Sequence, residues 1–147
     1  MGGGKVAVVT TGHDAADEAL TEAARESMPL AATLGVEVLA AAPDEVRLRL
    51  PWEARLCTAG GILHGGVLMS LADTGGAYCA FLNLPDGAGG TATIESKTNF
   101  LRAVPTGHVI AESRPLHVGR TTIVVETDLW DDRGRRVARV TQTQAVL

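Results

Sequence analysis

The sequence predicts an α+β protein in which an antiparallel β-sheet wraps around one long central α-helix. One observation is the apolar segment at residues 65–82, whose length favours a helix despite its glycines. A second is the set of strand-like runs after it, which are joined by short turns and therefore pair antiparallel. A single long apolar helix must then be covered by that sheet.

The composition fits one globular domain. The chain has 147 residues, enough for a core, and is 46% apolar but only 3% aromatic. Its net charge of −4 gives no reason to expect nucleic acid as a partner, and no apolar run reaches the ~20 residues that cross a membrane. Cys57 and Cys79 are isolated thiols, which favours a reduced, cytoplasmic setting. Neither the thiols nor the scattered histidines have metal-ligand spacing, so no metal site is expected.

The chain is divided at residue 13. Residues 1–13 are predicted to be a loosely attached arm, and residues 14–147 a single domain. The first dozen residues look like the opening strand of a dinucleotide-binding fold. After Gly12, however, no glycine follows until Gly35, so the G-x-G-x-x-G fingerprint is absent and the arm is the favoured interpretation.

Two short helices are predicted before the sheet. Asp14 is the expected N-cap of a helix over about residues 15–26. Ser27 is the expected cap of a second helix with Pro29 in its first turn. That second helix is predicted to stop at Gly35.

Two strand-like runs precede the central helix and four follow it. The run at residues 46–50 alternates apolar and polar residues, as a half-buried strand does. Residues 131–134, Asp-Asp-Arg-Gly, predict a hairpin turn before the last strand, and residues 56–63 are predicted as a loop. The six runs lie at residues 36–42, 46–50, 91–101, 108–117, 121–130 and 136–146.

The central helix has two unlike faces. At 100° per residue, large side chains fall on one side and small or polar ones on the other. We expect the large face to pack on the sheet and the small face to be left for a second copy of the chain, which predicts a two-fold homodimer. The large face comprises Val67, Leu68, Leu71, Tyr78, Cys79 and Leu82, and the small face Gly66, Ser70, Asp73, Gly76, Ala77 and Ala80.

Asp73 lies in the middle of this apolar helix without a cation at helical spacing. The residues one turn away are Met69, Ser70, Gly76 and Ala77, so neither a lysine nor an arginine pairs with it there. Burying an unpaired carboxylate is costly. The sequence therefore predicts that Asp73 lies at a cleft and is catalytic.

The run G-I-L-H-G-G-V-L-M-S-L-A-D at residues 61–73 resembles a motif of the hotdog-fold thioesterases, specifically the phenylacetic-acid-degradation type related to 4-hydroxybenzoyl-CoA thioesterases. Residues 93–102 and 117–121 also resemble family segments, and the resemblance extends from about Leu34 to the C-terminus. It implies a hotdog fold that hydrolyses acyl-CoA thioesters without metal or prosthetic group. It also implies a dimer of dimers.

The resemblance assigns roles to single residues. It implies that Asp73 is the general base or nucleophile and that the backbone N–H of Gly65 polarises the thioester carbonyl. His64 matches the histidine before that glycine, and Thr93 matches a Ser/Thr near the attacking water. Relatives often carry Asn or Gln six residues before the histidine, where this chain has Thr58. His64 is an alternative base, although a histidine at a helix start is more often a cap.

The oxyanion that develops at the thioester carbonyl needs hydrogen-bond donors, and the phosphates of the coenzyme need cations. Gly65 and Gly66 lie at the predicted helix start, where backbone N–H groups are free and the dipole is positive. Lys97 on a strand and Arg120, which follows Gly119 in a turn, are the preferred partners of the phosphates because their segments resemble the family. The other candidates are Arg102, Arg133, Arg135 and Arg136.

The distance between two predicted site residues requires a second chain. Gly65 and Asp73 are eight residues apart on one helix, which is a rise of about 12 Å. One thioester cannot contact both, whereas two antiparallel helices at a two-fold axis bring Gly65 of one chain to Asp73 of the other. A second hypothesis, which Thr58 keeps open, is a non-catalytic protein that binds acyl-CoA or an acyl carrier on the same fold.

Overall fold

The computed structural model describes residues 14–147, and the predicted arm at residues 1–13 lies outside the described residues. The first element, α1, is the helix Glu18–Ser27. Its N-cap is Asp17, whose carboxylate accepts the backbone N–H of Leu20 at 2.9 Å.

The prediction that Asp14 caps α1 is wrong by three residues. The backbone N–H of Asp17 bonds the carbonyl of Val38 at 2.8 Å, and Asp17 itself has an extended backbone conformation. The helix therefore begins only after Asp17. Asp14 instead accepts a hydrogen bond from Arg47 at 2.8 Å.

The second helix, α2, is Pro29–Leu34. Its predicted cap, Ser27, is wrong because that residue still ends α1 and its hydroxyl donates to the Ala24 carbonyl at 3.2 Å. The N-cap is Met28, which makes no side-chain capping bond. The stop at Gly35 is confirmed: this glycine adopts φ 75°, a left-handed conformation that favours glycine over other residues.

Within residues 14–147, six strands form one sheet in the order β1-β2-β4-β5-β6-β3, and every neighbouring pair is antiparallel. The predicted number of strands and their antiparallel arrangement are confirmed. Among the described strands, β1 and β3 lie at the two edges of the sheet. The bounds are β1 Glu37–Ala42, β2 Glu45–Pro51, β3 Thr91–Phe100, β4 His108–Val118, β5 Thr122–Asp131 and β6 Arg136–Val146.

The long helix α3, Gly65–Leu82, packs on one face of this sheet and completes the predicted α+β arrangement. Leu71, Ala72 and Cys79 are fully buried between them. A short 3-10 helix, Ala54–Leu56, precedes it and shares only Leu56 with the predicted loop at residues 56–63. Within residues 14–147, no helix has the length and apolar character needed to span a membrane.

The predicted division of α3 into two faces is wrong at the small residues. Gly76 and Ala80 are buried against the chain's own sheet rather than left for a second copy. A Cβ atom on Gly76 would lie 2.4 Å from the side chain of Gln142, and one on Gly75 would lie 2.7 Å from Ser113. These glycines thus let polar side chains of the sheet approach the helix closely.

Candidate active site

Helix α3 presents Asp73 to the edge strand β3 and its neighbour β6. The hydroxyl of Thr93 donates a hydrogen bond to Asp73 Oδ1 at 2.9 Å. The side-chain amide of Gln142 donates to the same oxygen at 3.3 Å. Within residues 14–147 no lysine, arginine or histidine forms an ion pair with Asp73. The carboxylate is therefore held by neutral donors.

Behind Thr93 lies a second glutamine. Gln144 Nε2 donates to Thr93 Oγ1 at 2.7 Å, and the two residues are directly paired between β6 and β3. A threonine hydroxyl carries one proton. Because the Thr93 hydroxyl accepts a hydrogen bond from Gln144, it donates its own proton to Asp73.

Both glutamines were missed by the sequence analysis. They are fully buried, at 1% exposure for Gln142 and 0% for Gln144. They continue the face of β6 that carries Ala138 and Val140, since alternate residues of a strand share one face. The signal in the sequence is two glutamines at alternate positions of a strand, directly after two apolar residues at alternate positions. This pattern indicates that both amides face the core.

The second oxygen of Asp73, Oδ2, has no hydrogen-bond partner within residues 14–147. The residue is half-buried. One oxygen is thus fixed by donors, and the other is open to accept a proton from water or to attack an electrophile.

At the start of α3, His64 is a capping residue. Its Nδ1 accepts the backbone N–H of Gly66 at 2.9 Å. Of the two roles predicted for His64, base and helix cap, the structure shows the cap. The N–H of Gly65 has no partner within the described part of the chain. A Cβ atom on Gly65 would lie 3.1 Å from the ring of Phe100, a contact that the sequence analysis also missed.

The described chain does not bring Gly65 and Asp73 together. Both belong to the continuous helix Gly65–Leu82, so the rise of about 12 Å between them stands. The structure therefore divides the predicted catalytic residues into two groups, Asp73 with Thr93 and Gly65 with His64.

Comparison with known proteins identifies the family. The model of the thioesterase superfamily matches residues 60–138, which is more than half of the chain. The chain belongs to the thioesterase superfamily. The proofreading thioesterase EntH of Cronobacter turicensis is 32% identical over 114 residues, covering 78% of this chain and 82% of that protein. The chain is thus a thioester hydrolase.

Solved structures confirm the hotdog fold. A thioesterase from Haemophilus influenzae matches with a TM-score of 0.80 and 28% identity, covering 87% of each chain. The PaaI protein from the phenylacetic acid degradation operon of E. coli matches with a TM-score of 0.77, covering 86% of this chain and 89% of that one. Its 22% identity shows the fold alone.

Thr58, at the position where the resemblance implies Asn or Gln, is a loop residue. The hydroxyl of Thr58 accepts the backbone N–H of Gly60 at 3.2 Å, and its backbone closes the loop with Ile62 at 2.8 Å. The loop ends are tied by a bridge between Cys57 and Leu63. The hydroxyl of Thr58 thus stabilises its own loop.

The predicted phosphate partners lie in different places. Lys97 is exposed and pairs with Thr141, on the sheet face opposite to that of Thr93, because a bulge after Thr93 shifts the register. Arg120 is exposed in the turn between β4 and β5. A Cβ atom on Gly119 would lie 2.7 Å from the His117 ring, so this turn is tightly packed.

Ion pairing separates the cation candidates. Within residues 14–147, Lys97, Arg102, Arg120 and Arg133 have no ion-pair partner. Arg135 pairs with Asp131 at 2.7 Å and is thereby occupied. In the same part of the chain, no group of three or more His, Cys, Asp or Glu side chains is placed to hold a metal ion.

Proposed function

We propose that this thioester hydrolase acts on acyl-CoA, with Asp73 as the general base or nucleophile. The observation that carries the proposal is the carboxylate with Oδ1 fixed and Oδ2 open. As a base, Oδ2 takes a proton from water, the hydroxide adds to the thioester carbonyl, and the proton leaves with the thiolate as free CoA. As a nucleophile, Oδ2 attacks the thioester carbonyl and expels the CoA thiolate, which leaves an anhydride. Water then hydrolyses the anhydride to the free acid and the Asp73 carboxylate, and its second proton goes to the thiolate. Neither route requires a metal or prosthetic group, since CoA is part of the substrate.

The oxyanion that develops in this reaction needs a donor, and we assign that role to the free N–H of Gly65. It lies at the positive end of α3 and lacks a partner within residues 14–147. Because it is about 12 Å along the helix from Asp73, the donor comes from a second copy of the chain.

The edge strand β3 supports a homodimer. An edge strand leaves a row of backbone groups unpaired and is prone to pair with another chain. Two of its large apolar side chains, Ile94 and Phe100, are exposed at 64% and 52%, and Met69 and Phe81 are exposed on α3. A two-fold axis at this edge places two antiparallel α3 helices side by side. By resemblance we propose that two such dimers associate.

Release of free thiol from a panel of acyl-CoA thioesters tests the activity. A thiol reagent detects CoA as it forms, and aryl and aliphatic acyl groups compare substrates. Cys79 does not contribute background, because burial raises the pKa of its thiol to about 11. Binding without thiol release across the panel would contradict hydrolysis and support the non-catalytic alternative.

Exchange of subunits tests the shared site. Gly65→Pro removes the N–H, and proline suits the first helical position after the extended His64. Gly65→Ala is the matched control, because it also adds a Cβ against Phe100 but keeps the N–H. Loss of one such donor lowers kcat by about 10²–10³-fold. We expect this loss for proline and a much smaller one for alanine.

Mixing Gly65→Pro with Asp73→Asn then restores activity if each site uses both chains. Random mixing makes half of the dimers mixed, and each mixed dimer holds one intact site of two, so about a quarter of the wild-type activity returns. A mixture as inactive as its components, or a monomer in analytical ultracentrifugation, contradicts the shared site.

We propose Arg120 and Lys97 as partners of the coenzyme phosphates. Arg120→Ala is expected to raise KM for acyl-CoA but not for a thioester that lacks the nucleotide. Arg133→Ala is the matched control, since Arg133 is also exposed and without an ion pair within residues 14–147. An unchanged KM for Arg120→Ala contradicts that assignment.

A further inference from the structure

We infer that Gln142 and Gln144 are positioning residues, which hold the Asp73 carboxylate so that Oδ2 faces the reacting water. This inference rests on the proposed role of Asp73. Gln142 acts on Oδ1 directly at 3.3 Å. Gln144 acts through Thr93, with links of 2.7 and 2.9 Å.

The arrangement of donors and acceptors has one direction. Only the NH₂ group of a glutamine side chain can bond a carboxylate, which accepts hydrogen bonds but does not donate them when ionised. Gln144 donates to Thr93, and Thr93 donates to Asp73. Every bond to the carboxylate therefore ends on Oδ1, and none within residues 14–147 ends on Oδ2.

The glutamines do not suit a purely structural role. The carbonyl oxygens Oε1 of Gln142 and Gln144 are both buried without a hydrogen-bond partner within the described residues. An unsatisfied buried acceptor destabilises a fold, and an apolar side chain of similar shape would avoid it. Their amide NH₂ groups nevertheless reach the Asp73 site, which indicates that these residues serve that site.

The helix is shaped to admit one of these side chains. A Cβ atom at position 76 would lie 2.4 Å from the Gln142 amide, so the glycine at that position makes room for it. Gln142 pairs with Ser96 and Gln144 with Thr93 across β3 and β6. The two amides are thus placed by strand register on the side that α3 covers.

Apolar replacements of similar length test the inference. Gln142→Met and Gln144→Met remove the donors and also the unsatisfied oxygens. A hydrogen bond to a charged group contributes more than one between neutral groups. Loss of the donor is therefore expected to lower kcat about tenfold to a hundredfold, with KM nearly unchanged. The midpoint of thermal unfolding is expected to stay the same or rise, whereas a structural role would lower it.

The matched control lies on the same face of the sheet. Ser113 and Thr127 share a buried hydrogen bond of 2.8 Å that is not connected to Asp73. Thr127→Val breaks this bond and is expected to lower the unfolding midpoint while leaving kcat unchanged.

A double-mutant cycle tests the route through Thr93. Thr93→Val removes the hydroxyl at constant shape, and Thr93→Ser restores it and is expected to rescue kcat. Gln144→Met is expected to have no further effect in Thr93→Val, because its contact with Asp73 is already broken. Gln142→Met is expected to lower kcat in either background. An equal effect of Gln144→Met in both backgrounds overturns the route through Thr93.

Wild type and Asp73→Asn are measured in the same assay. If wild type is active, Asp73→Asn inactive and Gln142→Met fully active, the inference about the glutamines fails and the proposed function stands. If wild type releases no thiol from any acyl-CoA, the proposed function fails and the inference fails with it.

Discussion

Two carboxylates on opposite sides of the sheet, Asp73 on α3 and Asp128 on β5, are bonded in different ways. Asp128, which alternation along β5 places on the face away from α3, receives bonds from Arg139 on both oxygens, at 2.8 and 2.6 Å. Arg136 adds an ion pair at 2.9 Å. Among residues 14–147, Asp73 receives bonds on one oxygen only, from the neutral groups of Thr93 and Gln142.

The difference separates a structural carboxylate from a reactive one. Permanent cations occupy both oxygens of Asp128 and leave no lone pair directed at a ligand. Neutral donors orient Asp73 without neutralising its charge. Orientation together with one open oxygen is what a proton acceptor or a nucleophile requires.

Replacing the reactive carboxylate has the largest expected effect. Asp73→Asn removes the proton acceptor, so kcat is expected to fall by about 10²–10⁴-fold. Thiol release from acyl-CoA measures the loss, and sedimentation confirms that the oligomer is kept. An active Asp73→Asn protein with an intact fold would refute the catalytic role of Asp73, and Asp73 would then not differ from Asp128 in function.

A methyl group on the helix disturbs the orientation of the same carboxylate. Gly76→Ala places a Cβ against Gln142, which is only 1% exposed and has little room to move. We expect kcat to fall about tenfold through the lost donor. Overpacking also lowers the free energy of unfolding by about 1–3 kcal/mol.

The double variant Gly76→Ala, Gln142→Ala separates these two effects. The smaller side chain relieves the overpacking, so the free energy of unfolding measured in urea recovers. The donor stays absent, so kcat does not recover. Wild-type kcat in Gly76→Ala would show that the Gln142 bond is dispensable.

Replacing the structural carboxylate is expected to change stability alone. Asp128→Asn removes the charge that pairs Arg136 and Arg139, and we expect the free energy of unfolding to fall by about 1–3 kcal/mol. Glu126→Gln, at a more exposed neighbour of Arg139, is the control and is expected to change it by less than about 1 kcal/mol. A loss of kcat in Asp128→Asn, measured on folded protein, would contradict the separation of roles.

Local signals predicted much of this fold. The last strand, Arg136–Val146, was predicted with the observed bounds because a hairpin turn and alternating residues mark it. The helix Gly65–Leu82 also has the predicted bounds, and an aspartate without a cation along it marked the site. Each of these features depends on residues within a few positions of one another.

The features that were missed depend on tertiary contacts. Gln142 reaches Asp73 across 69 positions of sequence, and a bulge after Thr93 shifts the register in which β3 pairs with β6. A bond to Val38 decides that Asp17 caps α1. Sequence periodicity shows neither register nor such contacts, so the faces of α3 were assigned wrongly at its small residues.

The pH dependence of stability is the smallest effect expected, and it tests the structural role of Asp128. Burial opposes ionisation of Asp128, but the bonds and charge of Arg139 outweigh it and hold the pKa of this carboxyl below its usual range. The same direction holds for the pKa of Asp131, where burial is outweighed by bonds from Arg135.

A lowered pKa in the folded state means that the unfolded chain binds protons first on acidification. The stability that these groups contribute is therefore complete above the unfolded value of about 3.9 and is lost as pH falls through the lower folded value. Urea midpoints measured from neutral pH to pH ~3 are expected to decline in this acid range, and to decline less steeply in Asp128→Asn because the proton linked to Asp128 is removed. An identical acid slope in wild type and Asp128→Asn would show that the arginine pairs around Asp128 do not stabilise the fold.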